Sequence, residues 1–135
     1  MNYLKTLSLV VCMLTILNSC SRNNYPINDL KKQLVGEWKL VSYGGGFANL
    51  PETETKDNIR IEFTAANIYR NFTDDVLKTE TEYAIKYVES AVFGTKQYVI
   101  VLKDEEPYIR FTVSDTELVL SGDHVDALYF KYKKI

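Results

Sequence analysis

From residue 36 to the end of the chain, apolar and polar side chains exchange places at a period of two, the signature of half-buried β-strands. Eight such runs are legible: 36–43, 58–64, 67–73, 76–88, 97–103, 107–113, 117–121 and 126–134. In the second, Ile59, Ile61 and Phe63 face one way and Arg60 and Glu62 the other. The long fourth run sends Leu77, Thr79, Thr81, Tyr83, Ile85 and Tyr87 to one side and Lys78, Glu80, Glu82 and Lys86 to the opposite one. The sixth sets Ile109, Phe111 and Val113 against Tyr108, Arg110 and Thr112. The last sets Leu128, Phe130 and Tyr132 against Tyr129, Lys131 and Lys133. Ahead of the strands, Asn28 predicts the cap of one short helix over 29–34, with Leu30 and Leu34 on one face and Gly36 beyond its end.

Most links between runs are short and polar, as at Asp74-Asp75, Ser114-Asp115-Thr116 and Gly122-Asp123, so neighbouring strands are expected to pair antiparallel in a meander. A sheet apolar on one face, with no helices to cover its edges, is best satisfied by closing on itself. The expected fold is therefore all-β, an eight-stranded antiparallel up-and-down barrel preceded by a short N-terminal helix. One link departs from the rule. Gly44–Asp57 is long, opens on three glycines and carries Phe47, Leu50 and Pro51, which predicts a functional loop folded over the mouth of the barrel.

Strand parity also predicts the interior. Trp38 and Leu40 point inward from the first strand, and Ile61 and Phe63 from the second. Phe72, Tyr83, Tyr87 and Tyr98 follow, then Phe111, Phe130 and Tyr132. Nine of these are aromatic, each able to bury about 150–250 Å², so they leave room for a small or shallow pocket in preference to a long tunnel. Arg70, between Ile68 and Phe72, falls on the same parity. A charge there needs a carboxylate, an anionic ligand, or a local bulge that carries it to the rim. Tyr43, Tyr69, Tyr108 and Tyr129 are expected outside, where they could seed a protein interface.

The segment before the helix changes the picture from a fold to a location. Lys5 precedes an apolar run from Leu7 to Leu17, too short for a membrane span and shaped like a secretory signal. Its end, Leu17-Asn18-Ser19-Cys20, resembles the lipobox of bacterial lipoproteins. That resemblance implies cleavage after residue 19 and acylation (palmitate or a similar chain) of Cys20; the polar, proline-bearing residues that follow read as a tether over 20–28, ahead of the barrel domain over 29–135. The 116 residues from Cys20 onward hold 15 Lys+Arg and 18 Asp+Glu, with no basic stripe for nucleic acid. Cys12 leaves with the signal, so no disulfide is expected and the core alone must hold the domain. Ser21-Arg22-Asn23-Asn24 contains no acidic residue; in the sorting of the lipoproteins that this segment resembles, that implies the outer membrane of a bacterial envelope, on its periplasmic side.

The run Leu34-Val35-Gly36-Glu37-Trp38-Lys39-Leu40-Val41 resembles the opening strand of lipocalins and of small lipocalin-like lipoproteins of Bacteroidetes-type bacteria. The resemblance implies a tryptophan at the closed end of the barrel with a basic residue of the last strand across it. Lys134, on the parity of Phe130 and Tyr132, is the candidate partner of Trp38, although the family commonly places arginine there.

Catalytic chemistry is poorly supported, and no enzyme is expected. His124 is the only histidine and sits in a turn. Asp74-Asp75 and Asp104-Glu105-Glu106 lack the spacing of a calcium loop. Gly44-Gly45-Gly46 lacks the lysine and the helix of a phosphate cradle, and Asn71-Phe72-Thr73 is a sequon of no consequence on a bacterial strand. Neither a cofactor nor a metal site is expected. Two functions fit the remainder: a membrane-anchored protein binding a small apolar or amphipathic molecule in the barrel, or a structural lipoprotein with a filled barrel that docks an envelope partner.

Overall fold

A computed structural model describes residues 25–90, 92–103 and 108–135. The expected signal, Cys20 and the hairpin tip at 104–106 lie outside the described residues. Helix α1 spans Tyr25–Leu34. It starts earlier than the expected 29, so residues 25–28 are helical and not tether. Pro26 explains the early start, because in the first turn its missing N–H is no loss and its φ is already helical. Lys31 and Lys32 in the last turn suit the negative end of the helix dipole.

Nine strands follow: β1 Gly36–Gly45, β2 Leu50–Glu54, β3 Ile59–Phe63, β4 Ile68–Thr73, β5 Val76–Glu89, β6 Lys96–Leu102, β7 Ile109–Val113, β8 Glu117–Gly122 and β9 Leu128–Lys134. All pairings are antiparallel. β1 and β3 through β9 pair in chain order, and β1 meets β9 from Trp38↔Lys134 to Gly45↔Leu128. The eight strands therefore form a closed up-and-down barrel with one short helix before it, the architecture of a lipocalin-like barrel.

The ninth strand is a correction to the expected loop. β3 pairs with β1 only over Gly36–Lys39, so the edge of β1 beyond it would be left without partners. Buried or half-buried amides need them, and β2 supplies them through Ser42↔Glu54, Tyr43↔Thr53 and Gly45↔Leu50. The 44–57 segment is thus largely strapped to the wall. Its apolar members do not fold over a mouth: Phe47 is 90% exposed, and Leu50 and Pro51 are exposed too.

One core fills the barrel near α1. Trp38, Leu40, Ile61, Phe63, Tyr83, Ile100, Leu102, Leu118, Leu120 and Tyr132 are buried, and Leu34 of α1 joins them. The indole of Trp38 donates to the Leu34 carbonyl at 2.8 Å, which fastens the helix across this end. Gly36 has φ +139°, and a Cβ there would sit 2.9 Å from Cε of Lys134. A glycine two residues before the tryptophan is therefore what lets the last strand cross the first so closely.

Two faces differ from the expected parity. On β4 the register Phe63↔Tyr69, Ile61↔Asn71 and Ile59↔Thr73 turns Tyr69, Asn71 and Thr73 inward. Arg70 and Phe72 point outward, against expectation. On β5 a bulge opposite Asn71/Phe72 shifts the frame, so Leu77 pairs with Phe72 and is exposed, whereas Thr79, Thr81 and Tyr83 keep their inward side.

Candidate functional site

The barrel has a closed end and a more open one. At the closed end Trp38 is fully buried, and the Lys134 ammonium lies 5.0 Å from its ring while donating to the Gln33 carbonyl. Lys31 of α1 reaches the Ala65 carbonyl in the β3–β4 turn at 2.9 Å. Helix, first strand, last strand and one hairpin are thus tied together around the indole.

Toward the other end, inward-facing Ile59, Asn71, Thr73, Thr79 and Phe130 are only partly buried. Tyr69 faces Phe63 at 5.2 Å between ring centres, and Tyr83 meets the same ring edge-on at 5.0 Å. The Tyr83 hydroxyl donates to the Thr64 carbonyl. Burial raises the pKa of Tyr83 and, more strongly, of Tyr132, with Tyr69 adding to the second. Both phenols stay neutral at physiological pH. Asn71 contributes the one unmet demand among the described buried side chains. Its amide nitrogen approaches the Tyr69 hydroxyl at 3.5 Å, while its Oδ1 is buried with no hydrogen-bond donor. A buried carbonyl in that position costs free energy until a donor arrives.

Of the residues expected inside, Trp38, Leu40, Ile61, Phe63, Tyr83 and Tyr132 are in the core, and Phe111 and Phe130 pack against it. Arg70 and Phe72 belong to the outer wall. Arg70 bridges Glu80 at 2.6 Å and Glu62 at 3.1 Å, and these partners raise its already high pKa. Phe72 lies beneath the Arg60 guanidinium at 4.0 Å, and Arg60 in turn pairs with Glu37 at 2.8 Å. The outer wall of β1, β3, β4 and β5 is a ladder of alternating charge. Tyr69, expected outside, packs inward, and Tyr43, Tyr108 and Tyr129 are each partly buried, Tyr129 lying over Gly44.

Tyr87 and Tyr98 occupy a different place. Paired across β5 and β6, their rings stand 4.7 Å apart at a gap in the wall. β6 and β7 share only the pairs Val99↔Arg110 and Ile100↔Ile109. Beyond them the strands part, and a cleft of about 740 Å³ opens, lined by Leu30, Tyr87, Tyr98, Phe111, Val113 and Val119 together with Lys96, Gln97, Arg110, Thr112 and Ser121.

Beside this gap the β5–β6 turn is held by a polar knot that the sequence does not announce. Asp123, 7% exposed, accepts from the Ser90 hydroxyl at 2.7 Å and from Gln97 at 3.3 Å, and lies 3.8 Å from Arg110. Ser90 Oγ accepts in turn from the Val92 and Phe93 amides. A second cluster ties β2 to the barrel: Glu52 receives hydrogen bonds from Ser42 at 2.7 Å and from Lys131, which hold its carboxyl below the usual range. His124 is exposed in its turn. Among the described residues no group of three or more histidines, cysteines and carboxylates converges to hold a metal ion.

No protein-family model, curated protein or solved structure matches the chain. The reading of its function rests on the residues alone.

Proposed function

We propose that the protein is a membrane-anchored, lipocalin-like lipoprotein that binds one small amphipathic molecule in the cell envelope through the open half of its barrel. The observation that carries this reading is Asn71 Oδ1, a buried acceptor without a donor, set among partly buried inward-facing residues. A ligand with a hydroxyl or amide donor and a short apolar body would satisfy that oxygen and cover Ile59 and Phe130. Such a division, apolar walls with one or two placed polar groups, is what small-molecule sites share. The anchor is acylated Cys20, with the domain facing the periplasm from the outer membrane, and the role is carriage or sensing without chemistry.

Native mass spectrometry of the full chain recovered from bacterial membranes tests both parts. The expected spectrum shows acylated Cys20 at the mature N-terminus and a further non-covalent mass that 1-octanol displaces. That mass should be lost in Asn71→Leu, which keeps the branched shape and removes the acceptor. An acylated chain carrying nothing else would overturn the binding reading.

One observation favours the docking alternative. Phe47, Leu50, Val125 and Leu128 are exposed together around the 45–50 turn, where Gly46 packs on Leu128. Were this the working surface, Phe47→Ser would abolish recovery of a specific envelope complex and leave small-molecule binding intact.

A further inference from the structure

We propose that the cleft between β6 and β7 is a second small-molecule site, distinct from the one around Asn71, and that it takes a flat, ring-bearing organic acid. Three observations support it. The first is the wall itself: with only two residue pairs joining β6 to β7, the strands diverge and leave about 740 Å³, within the size of small-ligand sites. The second is the surface offered there. Tyr87 is 54% exposed although it sits on the inward parity of β5, and it presents a ring paired with Tyr98, with Phe111 and Leu30 alongside. Exposed, tilted aromatic rings on a concave wall favour a planar partner that stacks or meets them edge-on.

The third is charge. Two cations, Lys96 and Arg110, line the cleft, and among the described residues no carboxylate does. Arg110 is already held, donating to the Gly122 carbonyl at 3.1 Å and to Ser121 at 3.0 Å, with Asp123 behind it and Phe93 against its face. It forms a fixed back wall whose charge Asp123 partly compensates. Lys96 makes no ion pair with a described carboxylate, not even with Glu89, its partner across the hairpin. Its ammonium is therefore left to meet an incoming anion, while Thr112 supplies a hydroxyl. An apolar ring with one carboxylate at its edge matches this arrangement from both ends.

The experiment is a titration of the full chain in nanodiscs of neutral lipid with 2-naphthoate, followed by the side-chain carbon–proton signals of Tyr87, Tyr98 and Phe111. Saturable shifts are expected on these rings and not on Tyr132. Tyr87→Ala should weaken binding about tenfold, and Thr112→Trp, which fills the cleft from an exposed position, should abolish it. Lys96→Gln should weaken 2-naphthoate about two- to fivefold and leave the neutral analogue 2-naphthalenemethanol unchanged. Asn71→Leu should have no effect. Shifts that never saturate, binding that survives Thr112→Trp, equal loss of acid and alcohol in Lys96→Gln, or loss in Asn71→Leu would each overturn the proposal. The last result would place the probe at the Asn71 site.

Discussion

Individual side chains show where alternation is a sufficient guide and where it is not. On β3, β7 and β9 the apolar set is also the inner set, because each polar neighbour has solvent or a counter-charge outside. On β4 both sets are mixed: Ile68, Arg70 and Phe72 against Tyr69, Asn71 and Thr73. Period-two reasoning favours the set with more hydrocarbon, yet the barrel buries a tyrosine and an amide and leaves a phenylalanine outside. Arg60 covers that ring, and Arg70 sits between Glu62 and Glu80 on the neighbouring strands. Acidic residues at matched positions of both flanking strands were the available signal. Buried tyrosines also set the response to alkali. Tyr132 and Tyr83 keep their protons in the folded state to higher pH than in the unfolded chain, where tyrosine ionises near about 10. Below that pH both states are protonated and the full contribution is present. Above it the unfolded chain alone loses protons, so stability falls as pH rises. Urea midpoints should drop as pH rises above about 10, and Tyr132→Phe should reduce the drop.

At the scale of elements, strand positions were legible and their company was not. The eight expected runs lie within a few residues of eight of the strands, because turn residues bracket each one. β2 was hidden: Leu-Pro-Glu-Thr-Glu has neither alternation nor strand-forming composition, and it pairs because the far half of β1 has an unoccupied edge. The knot at Asp123 escaped for a related reason, since Ser90, Gln97 and Asp123 converge from distant positions with no local pattern. That knot governs the β5–β6 hairpin. Asp123→Ala removes the acceptor for Ser90 and Gln97 and should cost about 1–3 kcal/mol. Hydrogen exchange should rise across 88–97 and stay unchanged at Trp38. Uniform acceleration through the barrel would show that the knot supports the whole fold instead.

For the molecule as a whole, the decisive contact joins its extremes in sequence. Trp38 pairs with Lys134 across nearly the full length of the domain, and that pairing both closes the ring of eight strands and completes the seal over the indole. Contacts of such separation make folding slow and cooperative. Deleting residues 128–135 should therefore do more than remove one strand. It strips the partners of β1 and β8 at once, and the truncated chain is expected to lose its near-ultraviolet dichroism and its sharp thermal transition. A folded, seven-stranded remnant would contradict this view of the closure.

The 50–54 segment carries one more implication, for traffic. A cover that swings aside needs a weakly attached span, but this one is sewn to the rim by main-chain hydrogen bonds and by Glu52, gripped by Ser42 and Lys131. Each severed main-chain bond forfeits about 1 kcal/mol, so lifting it is a slow, rare event. A ligand of the proposed interior site would find less resistance elsewhere on the rim, and swapping Phe47 or Pro51 should leave arrival rates untouched.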